Sequence, residues 1–175
     1  MADSQPWRNP RPAPSLSEIR AKTPAPRWMG FLWVWWPAIV WSGVIFTMST
    51  DSFSAENTKG FLEPFLRWLI PGLAQSAYDS LHHLIRKCAH FSEYFVYFML
   101  LYRAVRGRHS GWRWSWGLGA LLIAAAYSLT DEFHQVFVPS RGPSLYDSLL
   151  DTVGASVALV ALWLWLRRQR LKMEK

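Results

Sequence analysis

Apolar and charged positions are segregated along this chain. Residues 29–50 carry no charged side chain, and neither do residues 114–130. A bilayer core about 30 Å thick asks for roughly 20 residues per spanning helix, so each run predicts one. Two further apolar runs are shorter. Nine uncharged residues separate Glu93 from Arg103, and fifteen separate Asp151 from Arg167. To reach spanning length, the first must take in His90 and Glu93, and the second Asp147 and Asp151. The pattern predicts an all-α polytopic membrane protein, a bundle of about four transmembrane helices over 28–50, 87–103, 113–131 and 146–166. Together these form one domain, 28–168. Residues 1–27 are polar and rich in proline, the composition of a disordered tail; residues 169–175 form a short basic tail. The apolar run after the first tail is longer than a signal-peptide core, so span one reads as an anchor that stays. Pro37 should kink it, and Trp33, Trp35, Trp36 and Trp41 read as lipid or interface anchors.

Charge fixes the expected orientation. The net charge is +7, which raises the question of a nucleic-acid surface. Its distribution answers otherwise: 14 of the 19 basic residues lie in the two tails and in the connection between spans two and three. All three segments fall on one side of an even-numbered bundle, the positive-inside pattern. Both termini should be cytoplasmic, with the bilayer as partner and no nucleic acid. Twelve Trp in 175 residues suit a protein with two interfaces to anchor. One cysteine, Cys88, excludes an internal disulfide and any multi-cysteine zinc site; it reads as a small packed residue.

This orientation gathers the unusual polar residues at one end. His90 and Glu93 lie near the outer end of span two. Span three finishes at Asp131, Glu132, His134 and Gln135. Asp147 and Asp151 open span four, and Arg141 lies in the short connection before it. Spacings of three and four residues let each pair point one way from its helix. Three helices should therefore present polar stripes to a common outer pocket, with span one peripheral and contributing no charge. Gly154, Ala155 and Ala158 continue the Asp147–Asp151 stripe as a small-residue face where another helix can approach. Ionisable groups at membrane depth are costly and are functional candidates by default. The bland alternative is a network that only locks helix register.

The ordered blocks K-x-x-H-F-x-E-Y-F (Lys87 to Phe95), D-E-x-H-Q-x-x-V-P-x-R (Asp131 to Arg141) and D-x-x-x-D-x-x-G (Asp147 to Gly154) resemble the VanZ-like family of small bacterial membrane proteins. The last block carries Asp151 where that family's pattern often has Asn. The resemblance covers about residues 30–166. It implies a multi-pass protein of the bacterial cell membrane, in a family named for a member associated with glycopeptide-antibiotic resistance. It does not imply a reaction.

The chemistry available to such a pocket falls into two kinds. Asp131-x-x-His134 has the spacing of a carboxylate–histidine metal pair, and a catalytic zinc needs three protein ligands. His90, His134 and Asp131 are the candidate metal ligands. The metal-free option is favoured: Glu93, Asp131 and His134 as the candidate catalytic acid–base groups. Lys87, Arg141, Asp147, Asp151, Glu132 and Gln135 would then contact substrate, the two cations suiting a phosphate-bearing group. Function divides into an enzyme acting on a lipid-linked or cell-wall substrate, and a non-catalytic protein that binds or shields a precursor or an amphiphilic, glycopeptide-type antibiotic. A transporter fits less well, because the inner halves of the spans are nearly all apolar. The outer connection, 51–86, should hold a short interfacial helix around Phe61–Leu69, as lid or plug. His82 and His83, within it, read as a solvated face.

Overall fold

A computed structural model of the chain describes residues 27–50, 54–138 and 144–173. Among them every regular element is a helix: α1 (Arg27–Met48), α2 (Ala55–Leu69), α3 (Gln75–Arg106), α4 (Trp114–Gln135) and α5 (Leu145–Met173). The N-terminal tail expected over 1–27 lies outside the described residues, apart from its last one.

The core is built from α3, α4 and α5. Helix α3 offers a ridge of large side chains at helical spacing: Tyr94, Tyr97, Phe98, Leu101 and Tyr102, all buried. Helices α4 and α5 offer small residues opposite: Ala120 and Ala124, then Gly154, Ala155 and Ala158. Small side chains let the backbones close onto the aromatic ridge. The closest point is Gly154, where an added Cβ would lie 2.5 Å from the Phe91 carbonyl oxygen. Helix α1 packs on α3, held by polar contacts between the helices. Trp41 Nε1 donates to the Glu93 carbonyl at 3.0 Å, and Arg103 donates to the Val34 carbonyl at 2.8 Å. Tyr127 Oη on α4 donates to the Ser42 carbonyl at 2.7 Å. Trp41 thus fastens two helices, whereas Trp33 and Trp36 face outward as anchors would.

The boundaries differ from those expected in two main places: α5 continues to Met173, through most of the stretch expected as a basic tail, and the start of α3 is earlier. The second long helix begins at Gln75, not near 87, so its first three turns extend beyond the apolar segment. Helix α2 lies against this extension. Lys59 pairs with Asp79 at 3.1 Å, and Arg67 donates to Gln75 Oε1 at 2.6 Å. The interfacial helix expected around Phe61–Leu69 is therefore the second half of α2. It is amphipathic: Leu66 is buried while Phe65, Trp68 and Leu69 are exposed.

Large apolar side chains also cover much of the outer surface of the bundle. Trp33 is 73% exposed, Leu122 70% and Val157 44%. Two helices, Gly30–Met48 and Leu145–Met173, are long and apolar enough to cross a membrane. The other two long helices fall short because His, Glu and Arg interrupt α3, while Trp, Ser, Gly and Tyr dilute α4.

Candidate functional site

The site grows from Asp151, two turns into α5 and wholly buried. A buried carboxylate is tolerable only if the protein supplies the hydrogen bonds that water would have given. Ser128 Oγ on α4 lies 2.9 Å from Asp151 Oδ2, and equally 2.9 Å from Ser148 Oγ. From α3, His90 Nδ1 stands 3.3 Å from Asp151 Oδ1, an ion-pair separation without hydrogen-bond alignment. Three helices therefore meet at one carboxylate. One turn earlier on α5, Asp147 pairs with Lys87 of α3.

A second polar group lies beside the first. Gln135 Nε2 at the end of α4 donates to Ser49 Oγ at 3.2 Å and to Asp131 Oδ2 at 3.3 Å. Gln135, Asp131 and Ser49 are all buried. Glu132, also buried, accepts the Ser144 backbone N–H at 2.6 Å and so fixes the start of α5.

Between these groups and α2 lies a cavity of about 190 Å³. His90, Glu93 and Asp131 line one part of it, and Arg86, His82 and Thr58 another. Ile45, Met48, Leu62, Ile85 and Ala89 form an aliphatic wall. Thr58 Oγ1 lies 3.2 Å from His82 Nε2 and accepts from Arg86 at 3.3 Å. His82 is outside the apolar segment of α3, and burial, reinforced by the Arg86 and Lys59 charges, holds its pKa below the ordinary histidine value.

Several expected residues are not where the sequence suggested. His134 leaves the cluster; it is half-buried and packs its ring, tilted, against Phe46 with ring centroids 4.5 Å apart. Consequently His90, His134 and Asp131 do not form a metal-binding trio, and among the described residues no three His, Cys, Asp or Glu side chains do. Lys87 is neutralised by Asp147 and does not line the cavity. Glu132 and Gln135 bond within the protein. Span one is not peripheral: Ile45, Met48 and Ser49 line the cavity, although α1 brings no charge to it. His82 is buried, not solvated, because α2 covers it. Cys88 is exposed and not a packed residue. Arg141 lies outside the described residues.

Sequence reasoning also missed participants. Ser128 sits one turn before Asp131 on the same face of α4, a signal that was present. Ser148 stands one residue after Asp147 in the same acidic stretch. Ser49 and Arg86 gave none, because they sit at the margins of apolar segments.

A family model described as VanZ/LLP1 matches residues 34–166. No curated protein and no solved structure matches the chain.

Proposed function

The chain belongs to the VanZ/LLP1 family, and from that membership and the buried polar cluster we infer a multi-pass protein of the bacterial cell membrane that acts on a lipid-linked or cell-wall substrate. Both termini face the cytoplasm in this reading, and the cavity opens toward the outer leaflet. The positive-inside distribution supports the orientation, and the exposed apolar surface of α1, α4 and α5 supports immersion in lipid.

One observation carries the chemistry: His90, on the cavity wall, stands beside a fully buried Asp151 that Ser128 also engages. A carboxylate at ion-pair distance stabilises the imidazolium that a histidine becomes when it takes up a proton. His90 is then the proton acceptor, Asp151 its counter-ion, and Glu93 and Asp131 the neighbouring acids. The aliphatic wall of Ile45, Met48, Leu62 and Ile85 suits the hydrocarbon part of an amphiphile. Arg86 lines the same cavity, and its guanidinium suits an anionic group of the substrate.

The test is lipid and muropeptide profiling of cells carrying a deletion, the intact chain, His90→Gln or Asp151→Asn. The expected result is one precursor that accumulates in the deletion and in both variants but not with the intact chain. Full complementation by His90→Gln would overturn the acid–base reading.

A second reading is non-catalytic binding of a cell-wall precursor or a glycopeptide-type antibiotic. It is favoured by the state of the cavity hydroxyls. Ser49 accepts from Gln135, and Thr58 donates to the Ser54 carbonyl at 2.7 Å. The Thr58 hydroxyl proton is thereby committed to a carbonyl and not to a base. On this reading His90→Gln complements, while Leu62→Trp, which fills the cavity, does not.

A further inference from the structure

The opposite end of the bundle carries a second cavity, of about 270 Å³. It lies between the α3–α4 connection and the last turns of α5. Its walls include Gly111, Trp112, Trp163, Leu166, Arg167 and Arg170. Indole rings build the frame. Trp112 stacks on Tyr102 at 5.1 Å and meets Trp114 edge-on at 5.4 Å, and Trp114 reaches Trp163 at 5.7 Å. The frame positions two guanidinium groups. Arg167 lies over the Trp163 ring, 5.6 Å from its centroid. Arg170 Nη2 lies 3.8 Å from where a Cβ on Gly111 would stand.

Two features point to an anionic occupant. No acidic side chain is among the described residues lining the cavity, and neither arginine makes an ion pair with a described residue. The apolar part of the lining, Leu166 and the indole faces, suits a molecule that is charged at one end and hydrocarbon at the other. Depth agrees. Helix α5 has 29 residues, about 43 Å at 1.5 Å per residue, longer than a bilayer core of about 30 Å. With Asp147 at one edge of that core, roughly 20 residues of helix bring Arg167 to the other edge, where headgroups lie.

The geometry points to a headgroup site for an anionic phospholipid of the inner leaflet, with the phosphate between Arg167 and Arg170 and an acyl chain along Leu166. This site is separate from the outer cavity and independent of any chemistry there; it shares only the orientation. Arginine forks suit phosphate oxygens, and basic recesses beside membrane helices attract anionic headgroups.

The test uses the full chain purified in neutral phosphatidylcholine micelles. Thermal unfolding is followed while phosphatidylglycerol, further phosphatidylcholine or inorganic phosphate is added, and co-purified lipid is identified by mass spectrometry. Phosphatidylglycerol should raise Tm, while phosphatidylcholine and inorganic phosphate should not. Arg167→Gln/Arg170→Gln should weaken phosphatidylglycerol binding about tenfold or more, and Lys172→Gln, outside the cavity, should leave it unchanged. If the double variant does not fold, Arg170→Gln alone is read in its place. Equal stabilisation by phosphatidylcholine, an equal effect of inorganic phosphate, or undiminished binding by the arginine variant would each overturn the proposal.

Discussion

At the end of the bundle where α4 finishes and α5 begins, proposed above as the outer end, acids and bases are drawn inside and answered by other side chains: Asp151 by Ser128 and His90, Asp147 by Lys87, Asp131 by Gln135. At the other end, Arg113 and Arg167 lie exposed across indole faces. The two ends solve charge differently. The first replaces water with protein, so each member depends on the others. The second leaves its cations at the surface for headgroups or solvent. Substitutions at the outer end should therefore cost stability, whereas those at the inner end should cost affinity for a partner.

Asp151→Ala breaks the outer arrangement most directly. It removes the group that His90 and Ser128 share, and breaking a buried pair costs about 3 kcal/mol or more. Arg167→Ala, at an exposed position, should change stability by about 0.5 kcal/mol at most. Unfolding in micelles or bicelles, read by helical circular dichroism, compares the two. If Arg167→Ala proves as costly as Asp151→Ala, the contrast between the ends is wrong.

Gly154→Ala sharpens the same contrast through packing. The new methyl would meet the Phe91 backbone, which cannot swing aside as a side chain can. Overpacking of this kind costs about 1–3 kcal/mol. Gly43→Ala is the control: it lies within a helix, and nothing stands within 4 Å of its added Cβ. That variant should be neutral or slightly stabilising. A neutral Gly154→Ala would mean that α3 and α5 do not approach as closely as described.

These two positions also mark how far the sequence could be read. Gly154, Ala155 and Ala158 fall on one helical face, so a close approach there was legible from spacing alone. The expectation of one pocket shared by His90, Glu93, Asp131, His134, Asp147 and Asp151 rested on apolar runs too short to span; of these, His90, Glu93 and Asp131 line the cavity and the others do not. The partner choices were not legible. Helical spacing states which way a residue faces but not which facing residue lies at its height, so it cannot assign Asp151 to His90 or Asp147 to Lys87. Asp131 and His134 share a face by spacing, yet His134 lies in the last turn of α4, where the Phe46 ring packs against it. Helix α2 was visible only as an apolar patch, and the depth at which it buries His82 depends on the three extra turns of α3.

Lys87→Gln has a smaller effect. Its ion pair with Asp147 is partly exposed, so solvent screens it, and the loss should be about 1 kcal/mol. A double-mutant cycle with Asp147→Asn should recover most of that as coupling. No coupling would mean that the cation is free to serve the cavity after all.

The smallest effect is a matter of pH, and it falls where α2 meets α3. His82 lies outside the apolar segment, and its folded pKa is held below the ordinary value, first by burial and then by the Arg86 and Lys59 charges, with Asp79 opposing. Unfolded, it titrates near about 6.5. Above that pH both states are neutral and the histidine contributes its packing in full. As pH falls through the unfolded value, the unfolded chain takes up a proton that the folded chain resists, so stability is lost until the lower folded value is reached. His82→Gln removes this dependence while keeping a polar side chain near Thr58. The stability advantage of the native chain over His82→Gln should therefore be larger at pH 8 than at pH 5.5. An advantage that grows on acidification would mean that the folded protein holds the proton. His82 would then belong with the charge-answered groups deeper in the outer end, and the boundary between that cluster and the α2 contact would have to be redrawn.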